Sequence, residues 1–364
     1  MEKLLGFGCM RLPMKKEEVD YDEFNKMIDY YIENGFNYFD TAHGYINGKS
    51  EIAIRECLSK RYERDKYILT NKLTDAYFNK EEDLEPLFEK QLECCGVDYF
   101  DYYLMHAQNR DNYKQFMRCN AYDFAKRLKE KGKIKHIGIS FHDTSDILEN
   151  ILKEHEEIEI VQIQFNYADY NNPSVQSKEC YEVCRKYNKD ILIMEPVKGG
   201  GLVRLPEEAQ KEFAKLNSNM SYASYAIRFA ASFDGVYKVL SGMSNLEQMK
   251  DNISYMKEFK KITKEERKVI DKVSEILKDL GGIPCTACRY CVAGCPKKIK
   301  IPDLFGCYNA KKQFKDWNSS MYYEVSTRDS GKASDCIKCG KCEKACPQHI
   351  KIREKLEEIA NIFE

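Results

Sequence analysis

Eight short β-type runs recur along the first two thirds of this 364-residue chain, with helical patterns between them. Largely apolar strands that alternate with helices form parallel sheets that the helices cover. Eight repeats favour a (β/α)8 barrel, an α/β TIM-barrel fold, over an open doubly wound sheet, and no G-x-G-x-x-G follows the first run. The predicted strands are 4–9, 37–41, 67–73, 100–106, 134–140, 160–166, 191–196 and 236–241.

Helices are predicted where apolar residues recur at helical spacing. Between the first two strands, apolar residues from Phe24 to Ile32 fall on one face, and Gly35 closes the helix. The same reasoning predicts further helices at 51–60, 82–94, 116–131, 144–155, 174–187, 222–232, 264–280 and 352–363.

Two cysteine runs near the C-terminus each read C-x2-C-x2-C-x3-C-P, and together they hold eight of the sixteen cysteines. This spacing is that of two-cluster ferredoxins, in which the fourth cysteine of each run ligates the other cluster. The spacing therefore predicts two [4Fe–4S] clusters. The first takes Cys285, Cys288, Cys291 and Cys346. The second takes Cys336, Cys339, Cys342 and Cys295.

Two other uses of these cysteines fit the pattern less well. Structural zinc sites usually use paired C-x2-C knuckles, and disulfides need an oxidising compartment. The remaining eight cysteines are scattered and form no disulfide framework, which favours a reducing cytoplasm. Cys307 is expected to be a core residue.

The domain boundary is expected at Gly281-Gly282-Ile283-Pro284, which ends the helix at 264–280. Residues 1–280 would form the barrel, and 281–364 a small α+β ferredoxin-type domain. Residues 299–334 separate the cysteine runs, and their aromatic residues, including Trp317, predict a packed insertion.

Composition argues against two classes of partner. The formal net charge is −1, so no global basic field attracts nucleic acid or an anionic membrane. No apolar run approaches the roughly 20 residues of a membrane span, and the N-terminus lacks a small-residue cleavage site. With 43% apolar residues, a substantial core is expected.

Four polar residues are expected at the barrel mouth, because active sites of such barrels lie at the C-terminal ends of the strands. Asp40, Lys72 and His106 end the second, third and fourth strands, and Tyr45 follows Asp40. A nearby ammonium lowers the pKa of a phenol, and a buried carboxylate keeps that ammonium charged. The set can therefore donate a proton. The alternatives are that Asp40 and Lys72 form a structural ion pair and that His106 is a core histidine.

Motifs at these positions resemble those of the aldo-keto reductase superfamily over residues 1 to 260. They are D-T-A-H-G-Y, G-K-S-E, T-N-K, Y-Y-L-M-H, I-G-I-S and Q-F-N-Y. The resemblance implies that Tyr45 is the general acid, Lys72 tunes it, Asp40 supports Lys72 and His106 orients the carbonyl. The whole chain resembles the sub-family in which this barrel is fused to a ferredoxin-type dicluster domain.

The cofactor positions follow the family pattern less closely. The resemblance implies that Ser140 and Gln164 bind a nicotinamide carboxamide and that Asn252 contacts adenine. Met194 stands where a stacking tyrosine is usual, and Gln248 where an arginine is usual. The 2′-phosphate of NADPH needs a basic residue, so the sequence favours NAD(H) or another cofactor over NADPH.

A flavin is the other cofactor considered, because clusters move single electrons, nicotinamide moves a hydride, and FMN can do both. Gly199, Gly200 and Gly242 follow the last two strands, where loops often bind phosphate. They would hold a pyrophosphate or the FMN phosphate, or only form tight turns. Arg11 would meet an anionic group or form a surface salt bridge, and His43 is an auxiliary acid or a solvated loop residue.

Three functions follow. In the first, the protein reduces a carbonyl or oxidises an alcohol at Tyr45, while the clusters carry electrons through a bound flavin or exchange them with an electron-carrier protein. In the second, it is an NAD(P)H-dependent reductase with structural or regulatory clusters. In the third, the chain is an electron carrier with a non-catalytic nucleotide-binding barrel, against which the four-residue set argues.

Overall fold

The computed structural model describes residues 3–216, 219–285 and 287–364. Its central feature is a closed barrel of eight parallel strands, in which each strand pairs with the next along the chain and the first pairs with the eighth. The predicted barrel and its eight strands are confirmed. The strands are Leu5–Gly8, Tyr38–Asp40, Ile68–Leu73, Phe100–Gln108, Ile134–Phe141, Ile160–Gln164, Asp190–Met194 and Val236–Ser241.

The register of the strands brings the predicted mouth residues to one rim. Asp40 lies beside Thr70 on the third strand, and Lys72 lies beside Leu104 on the fourth. Because parallel strands all point the same way, their C-terminal ends meet at this rim. Side chains pack the barrel interior, and Gly138 leaves room for them, since a Cβ there would lie 2.5 Å from side-chain atoms of Ile160 and Leu104.

The predicted helices are present, one of them with a break, and the helices Glu207–Ala214 and Leu246–Met256 were not predicted. The helix predicted at 116–131 is two helices, because Asn120 between them has a left-handed backbone with φ of +52°. A short antiparallel ribbon of Met14–Lys15 and Glu18–Val19 was not predicted. Up to residue 279 the helices are α1 Tyr21–Glu33, α2 Lys49–Ile54 (continued by a π-helical turn, Arg55–Ser59), α3 Leu84–Cys95, α4 Tyr113–Arg118, α5 Ala121–Glu130, α6 Ser145–Glu154, α7 Ser177–Lys186, α8 Glu207–Ala214, α9 Tyr222–Ala231, α10 Leu246–Met256 and α11 Lys264–Asp279.

The chain divides into two compact units, which we name the barrel unit and the cluster unit. The barrel unit comprises Met1–Asn166, Ser177–Pro196 and Ala223–Thr263. The cluster unit comprises Tyr167–Gln176, Val197–Tyr222 and Lys264–Glu364. Two segments that follow barrel strands therefore belong to the cluster unit, and the domain boundary after residue 280 stays a prediction.

The C-terminal part of the cluster unit is helical. Its helices are α12 Tyr290–Ala293, α13 Ile301–Phe314, α14 Asn318–Thr327, α15 Lys341–Ala345 and α16 Ile352–Phe363. Among its described residues no strand occurs, so the expected α+β content is wrong. The alternating I-K-I segments look like strands, but Ile301 N–H donates to the Ile299 carbonyl and Ile352 N–H to the Ile350 carbonyl. Each segment is thus a tight γ-turn that starts a helix.

The two cysteine runs belong to an internal repeat of 51 residues, since Cys336 lies 51 positions after Cys285. The backbone repeats with the same offset. Left-handed residues occur at Ala287 and Lys338, with φ of +52° and +57°, and again at Lys298 and His349, with φ of +53° and +51°. The repeat shows that both cysteine loops adopt one backbone conformation.

Residues between the two runs form α13 and α14. Cys307 is buried, as expected of a core residue, whereas Trp317 is 48% exposed. The ring of Tyr323 stacks on Phe363 at 4.8 Å between centroids and joins α14 to the last helix. No helix in the described parts of the chain is long and apolar enough to span a bilayer.

Candidate functional site

A buried ion pair forms the base of the mouth site. Lys72 Nζ donates to Asp40 Oδ1 at 2.6 Å and to the Thr41 carbonyl oxygen at 2.8 Å. Burial lowers the pKa of Lys72, but Asp40 and Tyr45, through charge and hydrogen bonding, together outweigh that effect and leave the pKa above its ordinary value. The ammonium therefore stays charged at neutral pH.

Tyr45 lies between this ammonium and His106. Lys72 Nζ is 4.9 Å from the centroid of the Tyr45 ring, and the His106 ring meets it edge-on at 5.9 Å. Burial raises the pKa of Tyr45, while Lys72 opposes that rise without overcoming it. The phenol is consequently protonated at neutral pH, which is the form that donates a proton.

His106 is held in its neutral form. Burial lowers its pKa well below the ordinary value, and the positive charge of Lys72 adds to the effect. Its Nδ1 lies 2.7 Å from the hydroxyl of Thr74, two residues beyond Lys72. When Thr74 donates to Nδ1, the ring proton sits on Nε2 and can be given to a carbonyl oxygen. Thr74 was missed, although its place at the same strand end was a usable signal.

Glu51 fixes the loop that carries Tyr45. This fully buried carboxylate lies 2.7 Å from His43 Nδ1 through one oxygen and accepts from Asn71 Nδ2 at 2.8 Å through the other. His43 is therefore tied to the protein interior rather than only solvated. Glu51 was missed as a site residue, although the G-K-S-E motif contained it.

The residues assigned to the nicotinamide end lie on neighbouring strand ends. Ser140 is near the end of the fifth strand, and Gln164 and Met194 are paired in register at the ends of the sixth and seventh. The Ser140 hydroxyl oxygen accepts from the Ala107 backbone N–H at 2.7 Å. Its own O–H can still donate, so the residues present fit a carboxamide.

The N-terminus of α10 is occupied by the protein's own side chains. Asn245 Oδ1 accepts from the Gln248 N–H at 2.9 Å, and Gln248 Oε1 accepts from the Ser244 N–H at 2.8 Å. Glu23 Oε1 accepts from the Leu246 N–H at 2.9 Å. A helix N-terminus attracts anions through such donors, so a carboxylate already bound there does not fit a phosphate.

Two further predicted cofactor positions lie beside α10. Asn252 Nδ2 donates to the Ser241 hydroxyl at 2.8 Å, and its Oδ1 accepts from the Tyr255 hydroxyl. The Asn252 amide thus joins helix to strand, and an adenine contact stays a prediction. Arg11 and Gly242 are brought together, since a Cβ at Gly242 would lie 3.6 Å from Arg11 side-chain atoms.

Gly199 and Gly200 lie in the cluster unit and have left-handed φ values of +62° and +91°. A Cβ at Gly199 would lie 2.2 Å from Asp316 Oδ1. Glycine is therefore needed at position 199, because the Asp316 carboxylate approaches it closely. A carboxylate at this place does not fit the phosphate of FMN or of a dinucleotide. The phosphate role of these glycines stays a prediction.

Two cavities in the cluster unit gather the cysteines into the two predicted sets of four. Cys285, Cys288, Cys291 and Cys346 line the first. Cys295, Cys336, Cys339 and Cys342 line the second.

Each cavity thus combines three thiols of one run with the fourth thiol of the other. Isoleucines line both cavities, together with Phe305 in the first and Leu356 in the second. A cubane takes one thiolate per iron, so its ligands line a space of this kind rather than converge on one ion. In the described residues no group of three His, Cys, Asp or Glu is arranged around a single-ion position. The residues present fit two [4Fe–4S] clusters.

Known proteins resemble both parts of the chain. The family model for the aldo/keto reductase family matches residues 4–275. The model for the 4Fe-4S dicluster domain matches residues 284–350.

Relatives are found among bacterial reductases. The uncharacterized oxidoreductase YqkF of Bacillus subtilis is 24% identical over 298 residues, which cover 73% of this chain and 90% of the relative. The glyoxal reductase of the same organism is 29% identical and covers 57% of this chain and 69% of its own length. The NADH-specific methylglyoxal reductase of Escherichia coli is 27% identical and covers 46% and 54%.

Solved structures share the barrel fold. The holo form of aldo-keto reductase AKR11C1 from Bacillus halodurans superposes with a TM-score of 0.60 at 24% identity, covering 74% of this chain and 91% of its own. An aldo-keto reductase from Klebsiella pneumoniae in complex with NADPH has a TM-score of 0.60 at 16% identity, covering 75% and 95%. The chain therefore belongs to the aldo/keto reductase family, is an oxidoreductase, and carries a C-terminal 4Fe-4S dicluster domain.

Proposed function

We propose that this oxidoreductase reduces a small carbonyl compound with Tyr45 as the proton donor, and that its two clusters exchange electrons with a carrier protein. The observation that carries the proposal is the contact of the buried Asp40–Lys72 pair with a protonated Tyr45 beside a neutral His106. Nothing in the site favours FMN, so we leave flavin out of the proposal.

The reaction adds a hydride to the carbonyl carbon and a proton to its oxygen. A nicotinamide nucleotide, when bound, supplies the hydride. The oxygen would lie between the Tyr45 hydroxyl and His106, whose N–H holds it in place. Proton transfer leaves a phenolate on Tyr45, and the Lys72 ammonium stabilises this charge as it forms. Asp40 balances Lys72 in the resting site and keeps it in position.

The nucleotide that these residues suit best is NADH. No basic side chain replaces the usual arginine at Gln248, and Glu23 already binds the N-terminus of α10. A 2′-phosphate there would meet a carboxylate instead of a cation. The NADH-specific methylglyoxal reductase among the relatives supports the same preference.

The clusters have access to the protein surface. Cys288 and Cys339, one in each cavity, are exposed, so a cluster held there would lie close to solvent. When bound, each cluster supplies or accepts one electron. This exposure favours electron exchange over a purely structural role.

The proton donor is tested with Tyr45→Phe, assayed anaerobically with methylglyoxal and NADH. We expect kcat to fall about 10²- to 10⁴-fold, because the phenol supplies the proton in the transition state. Tyr21→Phe, on the exposed face of α1, serves as the control and should keep full activity. An active Tyr45→Phe protein with intact cluster absorbance would remove Tyr45 from the mechanism.

The role of the clusters is tested with Cys288→Ala. We expect the variant, which lacks a ligand of one cluster, to take up fewer electrons from a reduced carrier protein than the wild type and to keep NADH-driven reduction of methylglyoxal. Circular dichroism would establish that the barrel remains folded. If the variant took up as many electrons from the carrier as the wild type, the electron-exchange part of the proposal would fail.

A further inference from the structure

The internal repeat allows the surroundings of the two cysteine cavities to be compared position by position. Each exposed residue around one cavity has a counterpart 51 residues away around the other. Both cavities share the same left-handed backbone positions and a four-cysteine lining, so their exposed surroundings can be compared directly.

Charge distinguishes the two cavities. The second cavity has five exposed lysines around it: Lys297, Lys298, Lys338, Lys341 and Lys344. The first has no lysine at the equivalent positions, which are Gln348, His349, Ala287, Tyr290 and Ala293. Arg289, at the first cavity, stands where the second cavity has Gly340, and it forms an ion pair with Asp303 at 3.0 Å.

Most of the lysine charge is not neutralised by the protein. Lys338 pairs with Glu357, and the nearby Glu343 is engaged by Arg353 at 2.8 Å. In the described parts of the chain no carboxylate lies within ion-pair distance of the other four: Lys297, Lys298, Lys341 and Lys344. The surface around the second cavity therefore has a local excess of positive charge.

An apolar residue lies within this basic surface. Ile337 lines the second cavity and is 57% exposed, next to the exposed ligand Cys339. The corresponding residue of the first run is a threonine at position 286. An apolar centre with a charged rim is the usual composition of a protein-docking surface.

The first cavity is covered on one side by its own unit. Ser174 Oγ donates to the Cys285 carbonyl oxygen at 2.8 Å, so the segment 167–176 contacts the first cysteine loop. The basic rim and the exposed Ile337 are what distinguish the second cavity as a place to receive a partner.

We propose that the lysine-rimmed face around Ile337 is the docking site for a small acidic one-electron carrier protein, such as a ferredoxin with a negatively charged surface. The inference rests on the proposed function, because it assumes that the clusters exchange electrons. Each encounter passes one electron: the carrier is oxidised by one, the cluster is reduced by one, and no bond or proton changes. Opposite charges raise the association rate and select the partner.

The test replaces the four unpaired lysines together, as Lys297→Gln, Lys298→Gln, Lys341→Gln and Lys344→Gln. Cluster reduction by a reduced acidic [2Fe–2S] ferredoxin is followed by anaerobic stopped flow at low and high salt. We expect the second-order rate constant to fall about tenfold or more at low salt, and the difference from wild type to shrink at high salt. Reduction by dithionite should be unchanged.

A charge-matched control separates docking from net charge. It carries Lys264→Gln, Lys268→Gln, Lys272→Gln and Lys278→Gln in the exposed face of α11, and it should keep the wild-type rate. An equal rate in the two quadruple variants would overturn the proposal. So would a parallel slowing with dithionite, which would mean that the lysines act on the cluster itself. A wild-type protein that reduces methylglyoxal but takes no electrons from the ferredoxin would overturn the docking site and leave Tyr45 catalysis standing.

Discussion

The two sides of the barrel mouth use their polar side chains differently. At the ends of the second to fourth strands, Asp40, Lys72, Tyr45 and His106 contact one another. Beside the eighth strand, the side chains at the start of α10 bind the protein's own backbone. The difference teaches that one side of a barrel mouth can hold polar groups that contact one another while the other side binds its polar groups to the backbone.

The strongest challenge to this comparison is Lys72→Met. On the catalytic side we expect a fall in kcat of about 10²- to 10³-fold, because the charge that stabilises the phenolate is lost. The change also leaves the Asp40 carboxylate buried without its partner, which costs about 3–5 kcal/mol of unfolding free energy. Steady-state kinetics and urea denaturation measure the two effects.

A double variant separates the two consequences. Asp40→Asn with Lys72→Met removes both charges, so stability should recover in part while activity stays low. Recovery of activity in the double variant would contradict the role given to Lys72.

The nucleotide side is tested with Glu23→Gln and Gln248→Arg together. Gln at 23 keeps an acceptor for the Leu246 N–H but removes the negative charge, and Arg at 248 adds a phosphate partner. We expect the preference for NADPH over NADH, measured as kcat/KM, to rise about tenfold to hundredfold.

The matched control is Glu265→Gln with Gln210→Arg, in α11 and α8, which makes the same change of charge elsewhere. An equal shift in the control, or no shift in the test variant, would mean that α10 does not face the nucleotide phosphate.

A smaller effect is expected from Ser140→Ala, which lies between the two sides. Its hydroxyl oxygen accepts from the Ala107 N–H next to His106, so its loss should cost about 1–3 kcal/mol of stability. The KM for NADH should rise about threefold to tenfold if the same hydroxyl donates to the carboxamide. A loss of stability with unchanged KM would assign Ser140 to the catalytic side alone.

The smallest expected effect is the response of the rate to pH. The pKa of His106 is lowered well below its ordinary value, so no step should appear near its usual pKa of about 6.5. The pKa of Tyr45 is raised, so the proton donor stays protonated beyond the usual tyrosine pKa of about 10. The kcat/KM for methylglyoxal reduction should be flat from about pH 6 to 9, and a histidine-like step would contradict the site.

Local sequence signals were enough to predict much of the fold and the grouping of the four polar residues at the barrel mouth. The barrel follows from eight alternating elements, and its topology forces Asp40, Lys72 and His106 onto one rim. The cysteine spacing likewise groups the thiols correctly around two cavities.

Long-range contacts account for the rest. Glu23 reaches the Leu246 N–H across 223 positions, and no local pattern indicates this contact. The need for glycine at 199 comes from Asp316, far along the chain. The γ-turns at the I-K-I segments depend on backbone angles, so hydrophobic alternation does not indicate them.

The composition of the cluster unit has a consequence for biosynthesis. Lys198, Gly199 and Gly201 pack against Phe314 and Asp316, which leave the ribosome long after them. A nascent chain released at residue 280 would therefore expose a segment whose partners have not been made. Because those partners lie between the two cysteine runs, iron supply and completion of this unit become linked. Cells starved of iron should accumulate the full-length protein with an incompletely folded, protease-sensitive cluster unit.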